Sequence, residues 1–329
     1  MAVLVTGGGG FIGSSVAEQL IRMGREVVCV DDFNDYYNPQ VKWRNISALI
    51  PDPRFHVEVV SITDAAALGA IFARYSIHEV IHLAARAGVR PSLRQPVLYE
   101  QVNVQGTLHL LELSRQYGIR RFLFGSSSSV YGMSARVPFR EDDPADRPIS
   151  PYAATKRAGE LLCHTYHHLY GLPVVCLRLF TVYGPRQRPD LAIHRFTRAL
   201  YEGREITMFG DGSSARDYTY ITDIVAAIIA ALDIEPPPGY EIINLGSSTP
   251  IMLRDLIHLL ERVLGRQARI RREPAQPGDV PLTYAGIEKA ETLLGWHPRV
   301  SIEEGIENFV AWFLEERKAS EGNEVVGCG

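Results

Sequence analysis

Residues 3–20 read VLVTGGGGFIGSSVAEQL, a β-branched run, a glycine cluster and then a helical pattern. Gly7, Gly10 and Gly13 form G-x-x-G-x-x-G. Glycine at these places lets the chain turn tightly and lets backbone amides approach a phosphate at a helix N-terminus. A glycine triplet alone also suits a βα turn that binds nothing. The remainder of the chain decides between the two.

Five more short apolar runs occur, at residues 27–30, 56–60, 80–83, 122–124 and 174–177. Longer helical patterns begin between them near Phe11, Asp64, Pro96 and Pro151. Alternating β and α elements with wholly apolar strands predict a parallel sheet covered on both faces. A helix over 222–232 and a strand over 241–244 read as a return to that sheet. The segments 180–216 and 248–317 are richer in Arg and Pro and less periodic. The predicted fold is therefore α/β: a Rossmann-like, doubly wound parallel sheet with a smaller C-terminal α/β lobe. Residues 1–179, with 217–247 returning, form the nucleotide-binding part; 180–216 and 248–317 form the lobe that would take a substrate. Residues 318–329, polar and glycine-containing, are expected to be a flexible tail.

Several classes are excluded by composition. The net charge of -4 argues against a nucleic-acid or anionic-membrane surface. No apolar run reaches the roughly 18 residues that a membrane helix needs. Met1 runs almost directly into a strand, which leaves no room for a signal peptide, so a cytoplasmic protein is expected. Cys29, Cys163, Cys176 and Cys328 lack metal-ligand spacing and read as free thiols; no metal is expected.

Chemistry enters at two places. The second strand ends at Asp31, the usual distance beyond a glycine turn for a carboxylate that holds a ribose diol. Such a carboxylate repels a 2′-phosphate, so NAD is expected rather than NADP. Asp32 is an alternative, and Lys42 and Arg44 read as solvated surface. Further on, Ser126, Ser127, Ser128 and Ser129 end a strand, and Tyr152 and Lys156 stand four residues apart in SPYAATK. The four-residue step puts phenol and ammonium on one helix face. There the cation is expected to lower the tyrosine pKa and make it a general base for an alcohol. A serine cluster can instead merely satisfy a loop's backbone. Asn103, within a helical stretch, is a candidate for the cofactor or for a buried bridge, and Tyr131 reads as packing.

At these residues the chain resembles the extended short-chain dehydrogenase/reductase family, and within it the nucleotide-sugar 4-epimerases. TGGGGFIGS, HLAARAGVR, SSSSVYG, SPYAATK, LRLFTVYGP, RDYTYITDIV and QPGDV fall in the family's order. The resemblance implies a catalytic set of Ser127, Tyr152 and Lys156. It implies cofactor contacts at Gly7, Gly10, Phe11, Ile12, Gly13, Asp31, Asp32, Ile62, Leu83, Ala84, Ala85 and Asn103, besides Tyr152 and Lys156. Thr181 would face the sugar nucleotide, Arg216 the diphosphate and Asp279 the uridine ribose. Ser61 departs from the usual acidic residue beside the adenine, and Arg86 from a commoner neutral one.

Related dehydratases carry Asp-Glu where this chain has Ser128 and Ser129, and related decarboxylases carry Glu at Ser129, so simple epimerisation is expected. The segment GPRQRPDLA is similar to that of UDP-glucuronate 4-epimerases, in which Arg188 would pair with the C6 carboxylate, helped by Ser128, Ser129 and Arg90. UDP-glucose/UDP-galactose epimerisation stands as the alternative sugar. A reductase or dehydrogenase with net cofactor turnover is the alternative reaction, and a redox-sensing regulator the non-enzymatic one. The resemblance also implies a homodimer through the helices at 96–117 and 151–170.

Overall fold

The computed structural model describes residues 1–326 apart from 135, 236, 238, 275 and 277. The strands are β1 Ala2–Thr6, β2 Glu26–Asp31, β3 Phe55–Val59, β4 Ile77–His82, β5 Arg121–Ser127, β6 Val174–Leu179, β7 Thr181–Tyr183, β8 Glu205–Phe209, β9 Ala215–Tyr220, β10 Tyr240–Leu245, β11 Pro250–Met252 and β12 Arg269–Glu273. The α-helices are α1 Phe11–Arg22, α2 Pro39–Ile46, α3 Ala65–Arg74, α4 Val89–Arg94, α5 Pro96–Glu100, α6 Gly106–Gln116, α7 Pro151–Tyr170, α8 Ala192–Tyr201, α9 Ile221–Asp233, α10 Leu253–Leu264, α11 Glu288–Leu294 and α12 Ile302–Val326.

Seven strands form one sheet in the order β10-β6-β5-β4-β1-β2-β3. Every pairing in it is parallel. The order reverses between β1 and β4, and a ligand of an open α/β sheet binds at such a switch point. Alternate residues explain why the strands read as apolar runs. Val3, Val5, Cys29, Ile81 and Leu177 pack on one face. Leu4, Val28, Val80, Phe124 and Cys176 pack on the other. The first of these cores runs on without a break into Leu256, Leu260, Phe309 and Phe313 of the lobe. The lobe itself carries a three-stranded sheet, β11-β9-β7, and a two-stranded one, β12-β8.

Three elements differ from the sequence expectation. The helix expected from Pro96 is interrupted by a π turn over Gln101–Gln105. Thr107 Oγ1 there donates to the Asn103 carbonyl at 2.6 Å, while the Asn103 side chain is buried. Helix α2 was not expected, although Asn38 accepts from the Gln40 amide at 3.0 Å and Pro39 opens the helix, an N-terminal signal visible in the sequence. Helix α12 continues to Val326, past Lys318, where a flexible tail was expected; residues 327–329 lie outside the described residues. Among the described residues no helix is long and apolar enough to cross a membrane.

Candidate active site

The glycine turn is shaped by crowding. Gly7 has φ +71°, and a Cβ on it would lie 2.8 Å from the Ala84 amide nitrogen across the switch point. A Cβ on Gly13 would lie 2.2 Å from the Gly7 carbonyl. The turn can therefore be no bulkier and remain closed. Helix α1 begins at Gly10 with no side-chain cap, so the first amides of the helix, at Phe11 and Ile12, have no intrahelical acceptor. Such a helix start suits a phosphate.

At the end of β2, Asp31 is buried. Its Oδ1 accepts from the Phe33 amide and the Lys42 ammonium, both at 2.9 Å, and its Oδ2 accepts only from Gly9 at 3.2 Å among the described residues. Oδ2 thus retains capacity for a ribose hydroxyl. Lys42 is not solvated surface: it is 6% exposed and also lies 3.8 Å from Asp32. Helix α2 turns it inward. Arg44, by contrast, is exposed and pairs with Glu316 at 2.8 Å.

A buried chain of hydrogen bonds holds the switch point together. The Ala84 amide donates to Thr6 Oγ1 at 3.2 Å, and Thr6 lies 2.7 Å from His82 Nδ1. His82 Nε2 lies 2.9 Å from Thr107 Oγ1, whose proton is already given to the Asn103 carbonyl. His82 therefore donates from Nε2, and as a neutral ring it accepts at Nδ1. Burial, with Lys156 nearby, pushes its pKa down to about 3.

Helix α7 presents the catalytic candidates. Ser150 caps it by accepting from Ala153 at 3.1 Å, and Pro151 occupies its first turn. Tyr152 and Lys156 stand on one face. Lys156 donates to the Gly125 carbonyl at 2.6 Å. Burial lowers its pKa to about 8. The Tyr152 pKa is raised, not lowered as expected: burial outweighs the Ser127 hydroxyl and the Arg188 charge, and Lys156 bonds the Gly125 carbonyl instead. Ser127 lies at the C-terminal end of β5 and donates to Ser129 Oγ at 3.1 Å. Beneath it, Ser126 donates to Glu160 at 2.6 Å. Burial pushes the Glu160 carboxyl up, but bidentate Arg178 at 2.9 and 3.0 Å holds it net below the usual range.

One cavity of about 460 Å³ is lined by Gly7, Gly10, Phe11, Ile12 and Gly13 at the phosphate turn and by Asp31 and Asp32 at the end of β2. Ile62, Leu83, Ala84 and Ala85 form its wall, and Ser127, Ser128, Ser129, Tyr152, Lys156, Thr181 and Arg188 its far end. A dinucleotide fits the donors and the glycine clearance of the near end. A second cavity, of about 940 Å³, holds Arg90, Arg216 and Asp279, and shares Tyr36, Arg86, Gly88, Val89 and Leu191 with the first.

Two expectations change here. Asn103 does not line the cofactor cavity; its amide accepts from the Arg86 amide at 2.8 Å and donates to the Arg86 carbonyl and Thr155, each at 3.0 Å. In the π turn it stands against the Arg86 peptide as a buried bridge. Arg90 does not join Ser128 and Ser129; it pairs with Asp279 at 2.6 Å and lies 4.3 Å from the Phe209 ring centre in the second cavity. Ser61 bonds Thr63 at 2.8 Å and stays out of the first cavity. Lys42, Tyr36, Tyr37 and Arg86 are lining residues that were not expected. The capped α2 signals the inward Lys42; nothing in the sequence singles out the others. Among the described residues no group of three or more His, Cys, Asp and Glu is placed to hold a metal.

Comparison with known proteins places this geometry. The family model described as GDP-mannose 4,6 dehydratase matches residues 4–309. A UDP-glucuronate 4-epimerase of Thermodesulfobacterium geofontis is 48% identical over 313 residues, covering 95% of this chain and 96% of that protein. The crystal structure of a Bacillus cereus UDP-glucuronic acid 4-epimerase, in complex with UDP-glucuronic acid and NAD, superposes with a TM-score of 0.91. It shares 37% identity, with 96% of this chain and 99% of that one covered. A Thermotoga maritima UDP-glucose 4-epimerase with UDP-glucose gives a TM-score of 0.88 at 34% identity, covering 96% of this chain and 99% of that one.

Proposed function

Since the chain belongs to the extended short-chain dehydrogenase/reductase family, matched by its GDP-mannose 4,6 dehydratase model, we propose that it is an NAD-dependent epimerase that interconverts UDP-glucuronate and UDP-galacturonate. The observation that carries this reading is the meeting, in one cavity, of Ser127, Tyr152 and Lys156 with Arg188. The first three fit oxidation of a hydroxyl, and a guanidinium fits a carboxylate.

Bound NAD supplies a hydride acceptor that returns the hydride within the same turnover. The protein's own groups do the rest. Tyr152 takes the proton of the sugar 4-hydroxyl and returns it after the sugar has presented its other face. Ser127 bonds the same oxygen and keeps it aimed at the phenol. The Ser127 hydroxyl and the Arg188 charge are the groups that favour the phenolate, and Lys156, beside the Gly125 carbonyl, would hold the nicotinamide ribose. Asp31 holds the adenosine ribose, and Gly7, Gly10 and Gly13 leave room for the pyrophosphate. In the second cavity Arg216 faces the diphosphate, and Asp279, paired with Arg90, faces the uridine. We assign Arg90 to that end on its contacts with Asp279 and Phe209.

The family model takes its description from a dehydratase, but Ser128 and Ser129 offer no acid or base for eliminating water. The transient 4-keto uronate is a β-keto acid. It decarboxylates when the C5–carboxylate bond aligns with the carbonyl π system: that bond's electron pair passes to the C4 carbonyl, CO2 leaves, and a proton adds at C5. Arg188, with Ser128 and Ser129, would hold the carboxylate away from that alignment. Arg188→Ala is expected to weaken uronate binding and raise pentose by-product. Unchanged uronate preference in that variant would remove the clamp from the account.

Incubation of the purified protein with UDP-glucuronate and, separately, UDP-glucose, with NMR of the sugars produced, tests the whole reading. UDP-galacturonate without net NADH is the expected outcome. UDP-galactose with the uronate inert would keep the catalytic set and overturn the substrate; steady accumulation of NADH would indicate a dehydrogenase. We further propose a cytoplasmic homodimer. The exposure of Leu108 on α6 and of Leu161 and Leu169 on α7 supports the dimer.

A further inference from the structure

Tyr36 stands in the loop between β2 and α2, and its path is built step by step. The Asn34 amide donates to Asp32 Oδ1 at 3.2 Å, and the Tyr36 amide donates to Asn34 Oδ1 at 3.1 Å. These two turns carry the chain away from the ribose carboxylates. The side chain then crosses to the opposite wall, where its hydroxyl donates to the Ala87 carbonyl at 2.8 Å. Tyr99 donates to the same carbonyl at 2.7 Å. Gly88, at φ +100°, lets that wall come close: a Cβ there would lie 3.2 Å from the Tyr36 oxygen.

Two guanidinium groups lie over the Tyr36 ring, that of Arg86 at 5.7 Å and that of Arg188 at 5.4 Å from its centre. Asp190 takes the Nε and one terminal nitrogen of Arg188 at 3.0 and 2.8 Å. Arg188 is therefore held by a ring and along one edge. Its remaining nitrogen, Nη1, has no hydrogen-bond partner among the described residues, and Arg188 lines the same cavity as Ser128, Ser129 and Thr181. Because Asp190 already balances its charge, what Arg188 offers an incoming carboxylate is a direction more than a free charge. The ring sets that direction.

We propose that Tyr36 is a specificity-determining positioning residue. Its ring holds Arg188 with the free nitrogen towards a C6 carboxylate, and its hydroxyl ties that arrangement to Ala87, so the loop that borders the cofactor also readies the uronate site. The inference rests on the reading of Arg188 as the uronate clamp. A neutral hexose offers the free nitrogen only a C6 hydroxyl, a weaker acceptor than a carboxylate, so the influence of Tyr36 falls mainly on uronates.

Calorimetric titration of the NAD-loaded protein with UDP-glucuronate, UDP-glucose and UDP separates these ideas. Y36L removes the ring. It is expected to weaken UDP-glucuronate by about ten-fold, the range of a desolvated cation–π contact, while UDP-glucose and UDP change by less than about two-fold. Y36L should also send more of the turnover to pentose. Y36F keeps the ring but loses the bond to Ala87, and should keep most of the uronate preference; Y36M is the second ring-free variant if Y36L melts early. Equal weakening of all three nucleotides, or none, would overturn the inference. A wild-type protein that binds the two sugar nucleotides alike would overturn the uronate reading and Tyr36 with it. Wild-type preference intact beside an unaltered Y36L would overturn Tyr36 alone.

Discussion

Single side chains show where local patterning stops being informative. The spacing of Tyr152 and Lys156 could be read directly, because one helix face fixes it. Their protonation could not, because it depends on burial and on Gly125, Ser127 and Arg188, which the chain brings in from elsewhere. His82 is a sharper case. It reads as part of an apolar strand, yet its two ring nitrogens set the proton order of a chain from Ala84 to Asn103. Its pKa of about 3 lies below the unfolded value of 6.5, so the unfolded chain binds the extra proton between them. Stability is therefore full above about pH 6.5 and falls as pH drops towards 3, by about 1.4 kcal/mol per pH unit from this group alone. Urea titrations at a series of pH values should show that slope in the wild type and lose it in His82→Asn. A slope that survives the substitution would assign the acid sensitivity elsewhere.

Elements were legible where they carry their own start signals. Helix α7 opens on Ser150 and Pro151 and closes on Gly171 at φ +68°, all three visible in the sequence. Ser150→Ala should cost about 1 kcal/mol in a denaturant titration. It should also lower kcat more than it raises KM, because Tyr152 lies in the loosened first turn. A fall in stability with kcat untouched would mean that the turn is held by packing alone. The π turn at Gln101–Gln105 was not legible. It accompanies the pairing of Asn103 with the Arg86 peptide, and that partner lies in the loop after β4. The same limit applies to Arg90. Its neighbours in sequence suggested the sugar end, whereas Asp279 and Phe209, from the lobe, hold it at the other.

The whole molecule was legible in its layers because a two-sided parallel sheet leaves apolar strands: six of the seven were readable as short runs of that kind, and β10 as a strand returning to the sheet. The surface tells less. Leu161 is 54% exposed and Leu169 59%, which sequence alone cannot distinguish from burial under the lobe. If these helices pair across a two-fold axis, Leu161→Asp should halve the mass seen by sedimentation while leaving the far-ultraviolet spectrum unchanged. A wild-type protein that already sediments as a monomer would dismiss the dimer. The core that runs unbroken from Val3 to Phe313 also bears on how the chain can be divided. A chain shortened after residue 247 would carry a raw hydrophobic wound where Leu256, Leu260, Phe309 and Phe313 had been.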